Sequence, residues 1–360
     1  MTDQVPRSSG QAGAPRITDV AALAGVSRAT AARALGGYGS VSFDTSRRVQ
    51  EAAVQLGYRS NEIARAMRLG HTSTIGLVIA DISGSFFYQA TLAIIRTAAR
   101  LGFQTLVLNT DEDFGAERRA VRELLDKRVD GLIIVTSART GHDYLTNPPP
   151  VPVVFLDRRA DDVDACVVST DDESAARECV SLFTRHGHSR VGLLCNSSTV
   201  DGKRLPYTSP LAISTMVGRV TGWMSGMKQA GLPVRSDWLV FAEDDHESAK
   251  ASAIRLLSQR DRPSALLAIN SELALAAIDA CHTLKLEIGS DISLIGFDDT
   301  AWAPLISPAL TVVSRPVYRL GALALENLVL QISGSQFRPE SVVLSASLIE
   351  RASVDAPRGG

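Results

Sequence analysis

The stretch RITDVAALAGVSRATAARAL, residues 16–35, has the pattern of two short helices joined by a tight turn. Thr18 is a candidate N-cap of the first helix. Gly25 stands where that helix must stop and reverse, and Ser27 can cap the second. Two helices joined by a short turn that contains Gly are typical of the helix-turn-helix, whose second helix enters the major groove of DNA. An ordinary helical hairpin within a core is the alternative.

Charge is distributed unevenly along the chain. Residues 1–71 contain nine Arg, no Lys and five acidic residues, whereas the remainder contains 28 basic and 34 acidic residues. The first segment therefore has a net charge of nine minus five, or +4, and the second 28 minus 34, or −6. A basic segment on an acidic body suits a phosphate-binding module attached to a larger protein, although a chance fluctuation of a few charges is the alternative.

Length and composition narrow the class of protein. A chain of 360 residues predicts two or three domains with an ample core. Residues 1–15 lack the apolar region of a signal peptide and predict a disordered tail. No apolar stretch is long enough for a membrane span, so we expect no membrane partner. The cysteines show no metal spacing and suggest reduced core thiols of a cytoplasmic protein, and we expect no metal and no cofactor: Cys166, Cys179, Cys195 and Cys281.

From residue 72 onward, short apolar runs alternate with helical stretches. The predicted strands are 75–80, 103–109, 131–136, 153–157, 191–195, 265–269 and 293–297, with a last strand in SVVLSASLIERASV, residues 341–354. This alternation predicts an α/β fold of parallel sheets flanked by helices. There are too many units for one sheet of usual size, so we expect two lobes.

Several motifs resemble the LacI/GalR (lactose-repressor) family of bacterial transcription regulators. They are ITDVA at 17–21, AGVS at 24–27, Thr30, Arg33, Leu35, VS at 41–42, Thr45, RV at 48–49, LGY at 56–58, Asn61, IAR at 63–65 and TIG at 74–76. The resemblance continues to about residue 350 and so covers nearly the whole chain.

The resemblance implies a domain plan. It comprises the tail (1–15), an all-α helix-turn-helix head (16–60), a hinge helix (61–71) and a two-lobed core for ligand binding and dimerisation (72–360). The core is similar to periplasmic binding proteins, with the ligand between the lobes. We expect the N-lobe to hold about 72–168 and 304–333, and the C-lobe about 169–303 and 334–353.

Candidate DNA contacts come from the head and the hinge. Arg28 can pair with a guanine edge, Ala29 can pack against a thymine methyl, and Arg33 can reach a base or a phosphate. The hydroxyls of Thr18, Ser27 and Thr30 are candidates too, with helix capping as the alternative. In the family, paired hinge helices insert an apolar side chain into the minor groove. The matching hinge residues are Asn61, Ala64 and Met67; a core contact is the alternative for Met67.

Candidate ligand contacts follow predicted strands or match family positions. Arg219, Asn270 and Asp298 match residues that bind ligands in the family. Carboxylates and amides exchange hydrogen bonds with hydroxyls, guanidiniums donate them, and aromatic faces stack on rings. The full set is Asp81, Phe86, Phe87, Asp111, Asp157, Arg158, Arg219, Asn270, Asp298 and Trp302.

Alternatives remain open for part of this set. Asp111 and Asp157 are equally well explained as turn residues at strand ends, and Phe86 and Phe87 as core residues. Residues 197–216 are longer than the loop usual in the family and place Lys203, Arg204 and Tyr207 near the cleft mouth. This segment either shapes ligand choice or is a solvated insertion.

Three function classes compete. A ligand-responsive repressor of carbohydrate-related genes explains the head, the hinge and the cleft together. It would bind a pseudo-palindromic operator as a homodimer, with a sugar, sugar derivative or nucleoside as effector. A solute-binding protein explains the body alone. An enzyme is the weakest candidate, because the sequence contains no GxGxxG, P-loop, GxSxG or HExxH motif.

Overall fold

The structure is a computed structural model that describes residues 15–36, 39–58, 71–145, 148–200, 203–243, 245–334 and 340–358. The chain divides into two compact units, Met1–Thr72 and Ser73–Gly360. The predicted hinge contacts Asn61, Ala64 and Met67 lie outside the described residues, as does most of the predicted tail.

Within its described residues, the first unit contains three helices around a small core. They are α1 (Ile17–Leu23), α2 (Arg28–Gly36) and α3 (Phe43–Leu56). Gly25 has the left-handed φ of 65° that the reversal between α1 and α2 requires. The prediction that Thr18 caps α1 is wrong. The N-cap is Arg16, whose amide donates to Asp19 Oδ2 at 2.7 Å, so that the helix begins before Thr18.

The N-lobe of the second unit is built on a parallel sheet. Its strands, in spatial order, are β13 (Val342–Leu344), β5 (Cys166–Thr170), β4 (Val153–Leu156), β3 (Gly131–Ile134), β1 (Thr74–Ile79) and β2 (Gln104–Asn109). Strands β3 and β4 are buried throughout, as expected for a parallel sheet covered on both faces. Its helices are α4 (Ser85–Arg100), α5 (Phe114–Asp126) and α10 (Val317–Ile332).

The C-lobe repeats this design. Its sheet has the order β14 (Ser347–Ile349), β12 (Thr311–Ser314), β11 (Ser293–Phe297), β10 (Ala265–Ala268), β6 (Val191–Asn196) and β9 (Leu239–Ala242). Only β14 runs antiparallel to its neighbour within this sheet. The helices are α6 (Asp172–Arg185), α7 (Ser214–Gln229), α8 (His246–Leu257) and α9 (Ser271–Leu284), with a 3-10 turn at Ser236–Trp238 and a hairpin of β7 (Ser198–Val200) and β8 (Lys203–Leu205).

The expected division between the lobes is wrong at two strands. β12 belongs to the C-lobe sheet and β13 to the N-lobe sheet, the reverse of the expectation. The run SVVLSASLIERASV is not one strand, because its two halves pair with the edges of different sheets. Val342 aligns with Val168 in the N-lobe, and Ile349 with Val312 in the C-lobe.

Within the described ranges, every helix is too short or too polar to cross a lipid bilayer.

Candidate functional site

A cleft of about 580 Å³ is lined by residues of both lobes. Most of its lining follows the carboxyl ends of strands, which is where ligands collect in open α/β sheets. The structure brings nine of the ten predicted ligand contacts to this cleft: Asp81, Phe86, Phe87, Asp111, Asp157, Arg158, Arg219, Asn270 and Asp298.

Trp302 is the exception. It is absent from the cleft lining and packs, half-buried, against the hydrophobic core of the C-lobe. Its carbonyl accepts the amides of Leu305 and Ile306, so the residue belongs to a turn that returns the chain to the sheet. The prediction of Trp302 as a stacking residue is therefore wrong.

Arg315 lies at the floor of the cleft and was missed by the sequence analysis. Its Nε and Nη2 donate to the two oxygens of Asp298 at 2.7 and 2.9 Å, and its Nη1 donates to Asp157 Oδ1 at 2.8 Å. Burial disfavours the charged guanidinium, but the two carboxylates outweigh burial and raise the pKa of Arg315. The cation is therefore fixed between one acid from each lobe.

The arrangement around Arg315 changes the expected role of Asp298. Both of its oxygens already accept hydrogen bonds from the protein, so a ligand can use only the remaining lone pairs. Ligand contacts are expected directly after the carboxyl ends of strands, and Arg315 directly follows β12, so its position could have predicted it. That strand, however, was not predicted.

Arg219 projects from α7 and is buried beside Asp172. Its Nε donates to Asp172 Oδ1 at 2.9 Å and its Nη1 to the carbonyl of Ile269 at 2.6 Å. The guanidinium carbon lies 4.3 Å from the ring centroid of Phe297. The Nη2 atom lies 2.8 Å from Asp172 Oδ1, but it makes no hydrogen bond of acceptable geometry and is buried. Arg219 thus has one buried terminal donor that makes no hydrogen bond within the described part of the chain.

Arg158 is held by Glu112 on the N-lobe wall. Its two terminal nitrogens donate to the two carboxylate oxygens at 2.6 and 2.7 Å, a bidentate pair. The guanidinium carbon lies 5.2 Å from the ring centroid of Phe87. Phe86 is buried in the N-lobe core, with Arg315 3.9 Å from its ring centroid. Both aromatic rings thus contact protein cations, and the core alternative describes Phe86.

Polar residues at other strand and helix ends are engaged locally. Asn270 caps α9 by accepting the amide of Leu273 at 2.7 Å, and its amide group donates to Asn196 at 2.6 Å. Asp81 accepts the amide of Ser83 at 2.9 Å. Asp111 accepts from the side chain of Asn109 at 2.5 Å. These residues are turn and cap residues by geometry, and each also lines the cleft.

The mouth of the cleft carries further acids that the sequence analysis missed. Glu243, Asp245 and Glu272 are exposed lining residues of the C-lobe. Asp245 caps α8 three residues after the edge strand β9 ends, and Glu272 is in the first turn of α9. The signal that could have found them is their place after strands β9 and β10.

The long segment 197–216 contacts both lobes. Its Ser214 Oγ accepts the amide of Arg159 at 2.9 Å, and its Pro210 carbonyl accepts the hydroxyl of Thr140 at 3.4 Å. Tyr207 stacks on Phe241, with 6.2 Å between the ring centroids, and is not among the lining residues of the cleft. The side chains of Lys203 and Arg204 lie outside the described residues. The segment therefore bridges the lobes rather than forming a solvated insertion.

In the separate first unit, α2 presents an exposed polar surface at its start. Ser27, Arg28, Ala29 and Arg33 are exposed, and Ser27 Oγ accepts the amide of Thr30 at 3.1 Å. Ser27 is therefore a helix cap. Arg33 folds back toward Thr30 Oγ1 at 3.4 Å. The side chain of Arg28 is exposed and makes no hydrogen bond or ion pair within the described part of the chain.

Comparison with known proteins gives consistent matches. Residues 16–61 match the model of bacterial regulatory proteins of the lacI family, and residues 72–352 match that of periplasmic binding proteins and the sugar binding domain of the LacI family. The chain is 30% identical over 310 residues to catabolite control protein A of Priestia megaterium, covering 86% of this chain and 90% of the relative. It is 27% identical over 337 residues to the ribose operon repressor of Escherichia coli strain K12, covering 93% and 98%.

A solved structure extends the similarity to the fold. The lac repressor dimer bound to operator and the anti-inducer ONPF superposes with a TM-score of 0.81 at 25% identity. The match covers 95% of this chain and 99% of the repressor chain.

Proposed function

Because the chain belongs to the LacI family of bacterial transcription regulators, we propose that it is an effector-responsive repressor of carbohydrate-related genes. It acts in the cytoplasm as a nucleoid-associated homodimer on a pseudo-palindromic operator. A sugar, a sugar derivative or a nucleoside occupies the cleft and is not turned over.

One observation carries this proposal. A helix-turn-helix with an exposed Arg28 is joined, in one chain, to a two-lobed body with a polar cleft of about 580 Å³. The helix-turn-helix is not explained by a solute-binding function. The polar cleft is not explained by DNA binding without an effector.

On the DNA side, each head places α2 in the major groove. Arg28 pairs with a guanine through O6 and N7, and Ala29 packs beside it. Arg33, Thr18, Ser27 and Thr30 lie close enough in sequence to hold phosphates that fix the register of the helix. The hinge residues Asn61, Ala64 and Met67 enter the minor groove of the paired half-sites.

On the effector side, the cleft couples ligand binding to the relative position of the lobes. Arg219 donates to a ligand oxygen, and the acids of both walls accept from its hydroxyls. A ligand that favours one arrangement of the lobes changes the spacing at which the two hinges leave the dimer. Such coupling between sites typically amounts to about 1–3 kcal/mol.

Operator selection tests this function without knowledge of the effector. The full chain is incubated with a random duplex library at low salt, and the retained sequences are read. We expect a two-fold symmetric site bound with a steep salt dependence. Retention without sequence enrichment would contradict the proposal. A thermal-shift screen then supplies an effector, which should alter the mobility shift while remaining chemically unchanged.

A further inference from the structure

We infer that the cleft discriminates by charge: it admits an uncharged or amine-bearing polyhydroxylated effector and rejects sugar phosphates, sugar acids and nucleotides. This inference rests on the proposed function and goes beyond it, since family membership alone leaves the charge of the effector open.

Three guanidiniums line the cleft within the described residues. A guanidinium is the strongest partner that a protein offers to an anionic ligand, and each of the three already has a carboxylate from the protein. Arg158 is paired bidentately with Glu112, and Arg219 with Asp172. Arg315 is paired with Asp157 and Asp298 together. At Arg158 and Arg315 a phosphate would have to compete with these carboxylates, and because Asp157 and Asp298 are buried, displacing either of them would leave a buried acid without a partner.

Acidic residues outnumber basic residues in the described lining of the cleft. Among these lining residues, eight carboxylates face three guanidiniums, a formal excess of five negative charges. The lining imidazole, His246, lies 3.2 Å from Asp279 and is thus also engaged with an acid. The potential within the cleft is therefore negative, and low-dielectric walls concentrate such a field.

Much of this negative charge belongs to carboxylates that form no ion pair with a cation of the described chain. Asp81 and Asp111 on the N-lobe wall, and Asp245 and Glu272 on the C-lobe wall, bind only backbone amides, hydroxyls or an amide side chain. These four carboxylates have no ion pair within the described residues. Acids from both lobes thus face the same ligand volume.

A separate observation indicates what the ligand does carry. Arg219 Nη2 is a buried donor that makes no hydrogen bond, and Arg219 lines the cleft. A hydroxyl oxygen satisfies it without the desolvation that a charged group requires. The same hydroxyls, or an ammonium group, then donate to the surrounding carboxylates. Neutral polyols and amino sugars fit this combination of donors and acceptors.

Matched ligands test the inference directly. Glucose, galactose, mannose and ribose are each compared with their amino, acid and phosphate forms by thermal shift and calorimetry on the full chain. We expect the anionic forms to bind at least about ten-fold more weakly than the neutral parent, and the amino forms no more weakly than the parent. An anionic form that binds as tightly as its parent would overturn the inference.

Charge variants then identify the cause. Asp245→Asn and Glu272→Gln keep the size of each side chain, and Asn at 245 can still cap α8. Together they should reduce the penalty for anionic forms several-fold. Glu247→Gln, on the exposed face of α8 and outside the cleft lining, is the matched control and should change nothing. An unchanged penalty in the double variant would refute the role of these acids.

A second measurement needs no effector. Leu275 is an exposed lining residue of α9, and Leu275→Trp places an indole at the mouth. After subtraction of the parent signal, the ratio of caesium to iodide quenching should exceed that of free N-acetyltryptophanamide about three-fold. In the Asp245→Asn, Glu272→Gln background it should fall towards the free value. A ratio at or below the free value in the parent would show that the cleft is not negative.

The outcomes separate the two proposals. An anionic effector that releases the operator would refute charge selection and leave the regulatory function intact. Failure to enrich any operator would count against the function, whereas the quenching ratio would still report the charge of the cleft.

Discussion

Asp157 and Asp298 occupy the same position in the two lobes and bind the same cation. Each follows the last residue of a central strand, and each has a left-handed backbone, with φ of 66° and 71°. An Asp tolerates this conformation better than most residues, at a modest cost. The turn brings both carboxylates onto Arg315 from opposite lobes. The two lobes thus share one buried charge at the floor of the cleft.

Removing Arg315 should destabilise the body strongly. Arg315→Met leaves two buried carboxylates facing each other without a cation, which typically costs about 3–5 kcal/mol. Urea unfolding of the full chain measures the loss. Arg319→Met is the control, because Arg319 forms only an exposed pair with Glu326 and should cost less than about 1 kcal/mol. Adding Asp157→Asn and Asp298→Asn to Arg315→Met should recover part of the loss, and no recovery would contradict the electrostatic account.

Arg219→Lys should weaken effector binding while leaving operator binding intact. A lysine can remain beside Asp172 but cannot also donate to the Ile269 carbonyl and to a ligand. Loss of such a charged hydrogen bond corresponds to about ten-fold to a hundred-fold in effector affinity. Calorimetry and mobility shift measure the two properties separately. Arg235→Lys, in an exposed pair with Asp237, is the control, and wild-type effector affinity in Arg219→Lys would show that Arg219 is only structural.

Arg28→Ala should reduce specific DNA binding by about 1–3 kcal/mol and relax the preference at one base position in each half-site. Arg28→Lys keeps the charge but loses the planar fork. It should therefore preserve the salt dependence while relaxing the same position. Binding to a panel of operator variants at two salt concentrations distinguishes these effects. An equal loss on every sequence would show that Arg28 contacts phosphate.

Glu117 predicts a specific dependence of stability on pH. It is fully buried in the N-lobe beside Thr136, Tyr144 and His142, and burial raises its pKa despite the hydrogen bonds that lower it. A raised pKa in the folded state favours the protonated form. Its contribution to stability is therefore complete below the ordinary glutamate pKa of 4.5 and is lost as pH rises through the folded pKa.

The variant Glu117→Gln tests this sign, since an amide resembles the protonated carboxyl and does not titrate. The free energy of unfolding of the wild type should fall, relative to that of the variant, as the pH rises above 4.5. Urea titrations at several pH values give this difference. A difference that is constant with pH, or that grows in the wild type's favour, would show that Glu117 is ionised in the folded protein.

Sequence patterns predicted most of the candidate ligand contacts of the cleft but not Arg315 at its floor. Asp157 and Asp298 lie at the ends of apolar runs that the sequence predicted as strands, so their position after a strand located them. Arg315 follows TVVS, four residues that lie between a turn and a helix and carry no clear period. The pairing of β12 between β11 and β14 is a long-range property that local pattern does not encode. Asp157 was open to two interpretations, as a turn residue or as a residue of the cleft. In the structure it is both, since it has a left-handed backbone and also lines the cleft.

The sequence pattern also failed to predict that one run of residues forms two strands, each of which pairs with a different sheet. SVVLSASLIERASV has the composition of a single strand, and nothing in its alternation marks the point between Leu344 and Ser347 where it changes sheets. The prediction for Trp302 failed for a related reason. An aromatic residue close to an acid at the end of a strand has the same local sequence pattern whether it faces the cleft or the core.

The division of this last run between β13 and β14 has a consequence for the integrity of the whole body. Val342–Leu344 pairs with the edge of β5, and Ser347–Ile349 pairs with the edge of β12. One short segment therefore covers an otherwise unpaired strand edge in each lobe. A chain cut before residue 341 would present two unpaired strand edges at once, one on either side of the cleft. Nascent chains still lacking these residues would share that exposure. These few residues thus protect both halves of the protein against edge-to-edge association.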